Sequence, residues 1–563
     1  MASNATSSNS SLEKARVGAR AEPKSASVAI SDEPINPNIV QSGSTILTGR
    51  KLALSFGAML MAMLLIALDQ TILATALPRI ATDFNNFSMQ GWISTSFILS
   101  QTVFLLLFGQ SLRIFPSKYN LLAAMVIFEI GSLVCALSQN VNTLIAGRVV
   151  AGFGAAGLSV PIFQIISEIA PIEDRPKLFG LLASIFALAS IIGPLIGGAF
   201  TDHVSWRWCF WINLPVGGVS TAAVWYTLPA NPPLGCDLSK RNRQTIINDA
   251  LHMDFIGGII FAGSVTTLII ALQWGGNQKP WNDAGVITCF VLSPVLFCVF
   301  LAWEKYYGEK AMLPLAIFKS YSIYAVMFYC VLIRFCLLLY SFYLPILYQA
   351  TKNHSATHSG VDLLPFLLFS VFTVIFSGVL VSRIQRYWHV LVVAPVFLGV
   401  GSGLFYSINV NTANANLIGY QILAGIGIGL GMQNVMMAIQ VEFKNEPQYL
   451  GQATSMASVS QTLGGTIGLG IAEPIFTSQL TKFIPRFAPN VNPEIIKETP
   501  TDIYTELDPS QLAGAIRVYV ESLRVVYLIG VPVAGLALIF ALFIKNGRIA
   551  RPEAKSEAKK EEA

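Results

Sequence analysis

Asp69 and Arg148 place an anion and a cation inside long apolar stretches of this sequence. A charged side chain at membrane depth costs a few kcal/mol even on the lenient insertion scale, so it persists where it pairs, meets water or works. Asp69 falls in the outer part of the first stretch, within Leu68-Asp69-Gln70-Thr71-Ile72-Leu73-Ala74-Thr75-Ala76-Leu77-Pro78, and Arg148 falls near the outer end of the fourth. Successive spans run in opposite directions, so the two belong to the same half of the bilayer and can be neighbours. A carboxylate facing a guanidinium keeps its charge, whereas the same group in a dry cavity takes up a proton, so a pair that opens and closes can load and release one. Proton coupling is the expectation for both residues, with a fixed structural pair or a helix-end cap as the alternative.

The fifth stretch ends in Gly193-Pro194-Leu195-Ile196-Gly197-Gly198 and carries Gly180 and Ala189 before it. Small residues let a second helix approach, and a proline frees a carbonyl and permits a bend, so these positions read as a hinge or sliding seam with Pro194 interrupting the helix. Glu129 and Arg334 also lie inside apolar stretches and are further candidates for cavity or coupling roles, together with Gln433 and Asn434; Glu168, Asp254 and Asp362 fall near span ends. The aromatics Phe328, Tyr329, Tyr340, Phe342 and Tyr343 could line an amphipathic cavity or pack as core. The run Gly425-Ile426-Gly427-Ile428-Gly429-Leu430-Gly431 lacks the preceding strand and following lysine of a phosphate-binding loop, and reads as helix packing. Seven cysteines show no paired spacing, so neither a disulfide framework nor a metal site is expected.

These residues must be positioned by membrane-spanning helices. The chain is 53% hydrophobic and 12% charged, against about 25% charged residues in soluble domains. Fourteen apolar stretches recur between residues 52 and 544, each near the roughly 20 residues a spanning helix requires. The fold class is therefore an all-α polytopic membrane protein. Lys and Arg concentrate in alternate short loops, at Arg113 and Lys118, Arg175 and Lys177, Arg241 and Arg243, and Arg383 and Arg386, while the opposite loops hold little beyond Arg79, Arg207, Lys279 and Lys352. That bias places both termini in the cytoplasm. Residues 1–50 read as a disordered cytoplasmic tail without a cleavable signal, 229–253 and 304–320 as cytoplasmic loops, 477–522 as an exterior loop with a short capped helix, and 545–563 as a cytoplasmic tail. Asn86 and Asn353 begin Asn-x-Ser sequons on the exterior side and are candidate glycosylation sites, although both lie close to the bilayer. The net charge of +5 carries no nucleic-acid footprint.

Several of these segments resemble the major facilitator superfamily, and within it the fungal fourteen-helix drug:proton antiporters, over essentially all of 50–545. The match rests on 68–80, on Ala146-Gly147-Arg148-Val149-Val150-Ala151-Gly152-Phe153-Gly154, on the small residues at 180, 189, 193–194 and 197–198, which are similar to the antiporter motif, and on Trp206-Arg207-Trp208-Cys209-Phe210-Trp211-Ile212-Asn213-Leu214-Pro215. The resemblance implies a major facilitator fold with 14 transmembrane helices: a six-helix bundle over 51–228, two additional helices over 254–303, and a second six-helix bundle over 321–544. It also implies alternating access around a central cavity. The chain departs from the family where a loop motif normally carries an aspartate followed by glycine. Here Gly109-Gln110-Ser111-Leu112-Arg113-Ile114-Phe115-Pro116-Ser117-Lys118 offers Arg113 and Pro116, so the usual latch on the cytoplasmic side must be altered. Ala151 stands where glutamine is usual, and Ala189 where glycine is.

The expected function is a proton-coupled antiporter that exports small amphipathic organic compounds, such as drugs, toxins or secondary metabolites, across the plasma membrane. No ATP-binding loop or catalytic triad is present, so no enzyme activity is expected and the proton gradient replaces a cofactor. The partners are the substrate, protons and the lipid bilayer, with the protein as a monomer. A vacuolar carrier of basic amino acids, an exporter of an organic acid or glycolipid, and a non-transporting receptor on a carrier fold are the alternatives.

Overall fold

The computed structural model describes residues 45–84, 90–236, 241–275, 279–498 and 503–549. The sequon at Asn86 and most of both expected tails lie outside them. Each apolar stretch coincides with a helix or a broken helix, as it must where only intra-segment hydrogen bonds can satisfy the backbone. In chain order these are α1 (Gly49–Asp83), α2 (Gln90–Ile114), α3 (Ser117–Ala136), α4 (Val141–Ile169), α5 (Arg175–His203), α6 (Trp208–Trp211 with Asn213–Thr227), α7 (Phe255–Trp274), α8 (Ala284–Tyr307), α9 (Tyr321–Lys352), α10 (Ala356–Asp362 with Leu364–Ile384), α11 (Trp388–Tyr406), α12 (Asn414–Met432 with Asn434–Glu442), α13 (Leu450–Phe487) and α14 (Pro509–Leu528 with Gly530–Phe543). No strand occurs among the described residues. Among the described residues, eleven helical segments are long and apolar enough to cross a membrane. The remaining α5, the short α6 and the Gly- and Thr-rich α13 complete a set compatible with fourteen.

Breaks in the helices follow proline unevenly. Pro215, Pro365 and Pro532 each follow a break in α6, α10 or α14 within a turn, as expected where a missing N–H leaves a carbonyl free. Pro161, Pro294, Pro345 and Pro395, by contrast, sit inside unbroken helices. The interruption expected at Pro194 is absent too, since α5 is continuous from Arg175 to His203. The segment expected as an exterior loop over 477–522 is largely helical: α13 runs to Phe487 and α14 begins at Pro509. Between them, Leu480, Ile484, Val491, Ile496, Ile503 and Tyr519 bury one another in a separate apolar cluster. The Tyr519 hydroxyl donates to the Ile496 carbonyl at 2.5 Å, and that of Tyr504 to Ala350 at 2.9 Å, which ties this cap to the end of α9.

Glycines set how closely the helices approach. In α12, side chains at Gly425 and Gly429 would run into the backbone of α10 at Phe366 and Ser370, while one at Gly427 would meet Leu398 of α11. The two-residue spacing alternates between two neighbours, as helical geometry dictates. The N- and C-terminal groups of helices meet mainly along α5 with α10 and α2 with α13. A Cβ on Gly180 would lie 3.2 Å from the Val374 carbonyl, and Gly378 backs onto Pro176.

These junctions cluster on the side where the described chain begins and ends. There Arg175 donates to Gln440 at 2.7 Å and Ser382 to the Glu173 carbonyl at 2.7 Å. Arg113, the departure from the family's latch, donates to the Glu309 carbonyl at 2.8 Å and to Gln452 at 3.4 Å, and lies 5.4 Å from the Tyr449 ring centre. A cation therefore does join the halves here, by reaching carbonyl and amide oxygens instead of a helix N-terminus.

Glycine contacts predict which substitutions the bundle tolerates. Gly429→Ala should lower the melting temperature of the purified protein, by a destabilisation of roughly 1–3 kcal/mol for an overpacked site. Gly198→Ala, with no neighbour within 4 Å, should be neutral or slightly stabilising. Equal melting temperatures for the two variants would contradict the packing described.

Candidate functional site

Arg148 and Asp69 form a buried ion pair, Nη1 to Oδ2 at 2.5 Å, with both side chains at most 2% exposed. The arrangement draws on five helices. From α4, Arg148 also donates through Nε to the Ile93 carbonyl of α2 at 3.2 Å and lies 4.2 Å from the Phe97 ring centre. From the start of the second piece of α6, Asn213 donates to Asp69 Oδ1 at 3.2 Å and to Ser132 of α3 at 3.1 Å. The carboxylate thus has both oxygens bonded, which is the condition for a buried charge to remain stable. Asn213 was legible only as part of a family-like segment; its own role required knowing that the break in α6 points it inward.

The next two residues of α1 face elsewhere, because each position on a helix turns about 100° from the last. Gln70 donates to Gln101 at 3.3 Å, and both side chains line a central cavity. Thr71 donates to the Ala189 carbonyl of α5 at 2.9 Å, and a Cβ on Gly193 would collide with its hydroxyl. One turn of α1 therefore touches the ion pair, the cavity and the small-residue stretch of α5.

That cavity, of about 470 Å³, lies between the two groups of helices, within the size range of drug-sized ligand sites. Its apolar lining includes Met63, Ile98, Phe163, Phe186, Phe342 and Met436, and its neutral polar lining includes Gln101, Gln273, Gln433 and Gln461. Gln273 belongs to α7 and hydrogen-bonds Thr95, so the first additional helix forms part of the wall. Arg334 and Glu473 are the charged residues of the lining.

Other sequence candidates are dispersed. Glu129 accepts from Thr221 at 3.3 Å in the groove between α3 and α6, away from the ion pair. Asn434 does not line the cavity; it donates to Ser377 of α10 at 2.9 Å and to the Leu430 carbonyl at 2.7 Å, and so fixes the second piece of α12. Of the five aromatics, Phe342 alone lines the cavity: Phe328 is exposed and stacks on Phe540, while Tyr329, Tyr340 and Tyr343 are buried in the bundle. Ala189 is fully buried against α1, Gly197 accepts from Thr201 at 2.6 Å, and Gly198 opens onto space, so the expected seam stops short of it. The side chain of Pro194 lies outside the described residues. Glu168, expected at an interface, is buried with Ser117 at 2.5 Å and Gln164 at 3.2 Å. Asp254 caps Gly257 at 2.8 Å and accepts from Trp303 at 2.8 Å.

Asn353 caps the end of α9 in the left-handed conformation. Directly after it, His354, His358 and Asp362 bring ligand-type atoms within 4.8 Å of one another, a group that the sequence reading did not anticipate. The spacing His-x₃-His-x₃-Asp could have signalled it.

Comparison with known proteins fits this architecture. Residues 59–469 match the family model of the Major Facilitator Superfamily. The MFS-type efflux pump MFS1 of Trichophyton rubrum is 36% identical over 528 residues, covering 94% of this chain and 96% of that protein. The efflux pump roqT of Penicillium rubens is 35% identical over 487 residues, covering 86% and 89%. Among solved structures, the proton:xylose symporter XylE bound to 6-bromo-6-deoxy-D-glucose superposes with a TM-score of 0.58 at 14% identity, over 90% of this chain and 98% of that one. Matched along nearly its whole length to proteins more than a third identical, this multi-pass membrane chain belongs to the major facilitator superfamily of transporters.

Proposed function

We propose that the protein exports small amphipathic organic molecules from the cytoplasm in exchange for protons, with the Asp69–Arg148 pair as the coupling element. One observation carries this reading: a single turn of α1 joins the buried ion pair to the cavity through Gln70 and to α5 through Thr71. The efflux pumps to which the chain is similar favour outward transport.

In this reading both termini are cytoplasmic, as the Lys and Arg distribution requires. The junctions of Arg113, Arg175 and Ser382 would then close the cytoplasmic side, as an outward-facing state requires. Protonation of Asp69 from outside breaks its bond to Arg148 and releases α1 from α4, which lets the halves rock and the cytoplasmic junctions part. Proton release inside restores the pair. The gradient supplies the energy without a bound cofactor, and the protein acts as a monomer in the plasma membrane.

Removing either partner separates coupling from folding. Asp69→Asn should cut gradient-driven flux in reconstituted vesicles at least about tenfold, roughly 1.4 kcal/mol, with surface abundance preserved. Arg148→Ala leaves an uncompensated buried carboxylate and should lower thermal stability, by up to about 3–5 kcal/mol. The double variant should regain stability but not transport. Full gradient-driven export by Asp69→Asn would exclude this carboxylate from coupling.

Direction of transport depends on the contact between α1 and α5. Gly193→Leu should strike Thr71 and arrest turnover, leaving cells loaded with substrate. Thr71→Val keeps the volume, loses the bond to Ala189, and should slow turnover by about two- to tenfold with little change in binding. Substrate moving with protons under an imposed gradient of either sign would show an uptake carrier instead.

A further inference from the structure

Arg334 is the cavity cation, and among the described residues it has no hydrogen-bonding or ion-pair partner. It projects from α9 about 20 Å from the helix start, near the middle of the span. Its stem lies beside α13, where the Cβ position of Gly465 is 3.4 Å from Arg334 Cγ. Glu473, the other charged residue of the lining, lies eight positions beyond Gly465, a backbone rise of about 12 Å, and forms no ion pair with Arg334. Gln433, Gln461 and Thr462, which share the cavity lining with it, are neutral. An unpaired guanidinium at this depth is retained at a cost, and the cost is recovered when an anion binds.

From this geometry we infer that the substrates are amphipathic organic anions: molecules with one carboxylate or ionised phenol on an apolar body. The inference deepens the export reading and rests on it. Arg334 takes the anion through its planar fork, which matches two oxygens at once. The apolar body lies between Phe163 and Phe186 on one side and Phe342 and Met436 on the other. A neutral analogue would fill the same space but leave the guanidinium unpaired, and would therefore bind more weakly.

Three scaffolds, anthracene, biphenyl and a dodecyl chain, each prepared as the carboxylic acid, the methyl ester and the primary amine, test this on the full-length protein in nanodiscs. Saturable binding is read by fluorescence or calorimetry, and export by flux from proteoliposomes. For at least one scaffold the acid should bind tenfold or more tightly than its ester, with the amine weakest. Arg334→Gln should remove the preference for the acid while ester binding stays within about twofold. Arg334→Lys should retain part of it, and supplies the answer should the glutamine variant fail to fold. Esters or amines that bind and move as well as acids would overturn the anion assignment and leave the transporter reading standing. No saturable binding of any of the nine compounds would instead bring down the reading of this cavity as a substrate site, and the inference with it.

Discussion

The buried pair of Asp69 and Arg148 is the constraint around which the N-terminal helices are arranged. Neither charge is stable alone at that depth, so the carboxylate must be met by the guanidinium of α4 and the amide of Asn213 in α6, and the guanidinium by Asp69 and the Ile93 carbonyl of α2. Close approach of α3 and α4 follows, made possible where Gly131 faces the Ala151 backbone and Gly154 faces Phe128. Fixing α1 in this rotation also decides what its neighbouring residues can reach. With Asp69 turned inward, Gln70 has to face the cavity and Thr71 has to face α5.

Much of this was legible in the sequence, for physical reasons. Spanning helices declare themselves by apolar length, since lipid offers no partner for an unsatisfied backbone, and all the expected stretches coincide with helices. Asp69 and Arg148 stood out because charges are rare in such stretches. What stayed hidden depended on rotation and on neighbours remote in sequence. Asn434 and Gln433 are adjacent and equally polar, yet one faces the cavity and the other bonds to Ser377. Pro194 read as an interruption, but an intramembrane helix can carry a proline unbroken when surrounding helices hold its backbone, as α4 does at Pro161. The segment after α13 read as a loop because its apolar residues are spread between polar ones; they converge only when the two flanking helices extend to meet them.

Arg113 shows how a departure from a family pattern changes the chemistry of a contact between the two groups of helices. An aspartate in that position would seek helix amides; the arginine seeks carbonyl oxygens and an aromatic face, and finds them at Glu309, Gln452 and Tyr449. The segment between α8 and α9 supplies part of that surface. Gln110 donates to the Lys310 carbonyl at 2.8 Å, and Gln452 donates to the carbonyls of Ala311 and Met312 at 3.1 and 3.0 Å. With Gln273 of α7 in the cavity wall, the first additional helix lines the cavity and the segment after the second contributes to the contacts around Arg113.

The two groups of helices are held together by different chemistry. The N-terminal group is organised by charge at Asp69 and Arg148, the pair that the proposed exchange would switch by protonation. The C-terminal group is stitched by tyrosine hydroxyls: Tyr329 to the Leu391 carbonyl at 3.1 Å, Tyr340 to Ser402 at 2.5 Å, and Tyr527 to the Tyr343 carbonyl at 2.8 Å. Neutral hydroxyl bonds of this kind carry no charge that a change of pH within the physiological range would alter. In the proposed exchange the ion pair is the element that would respond to the gradient and the tyrosine network carries no charge to respond with. The cavity lies between the two groups of helices.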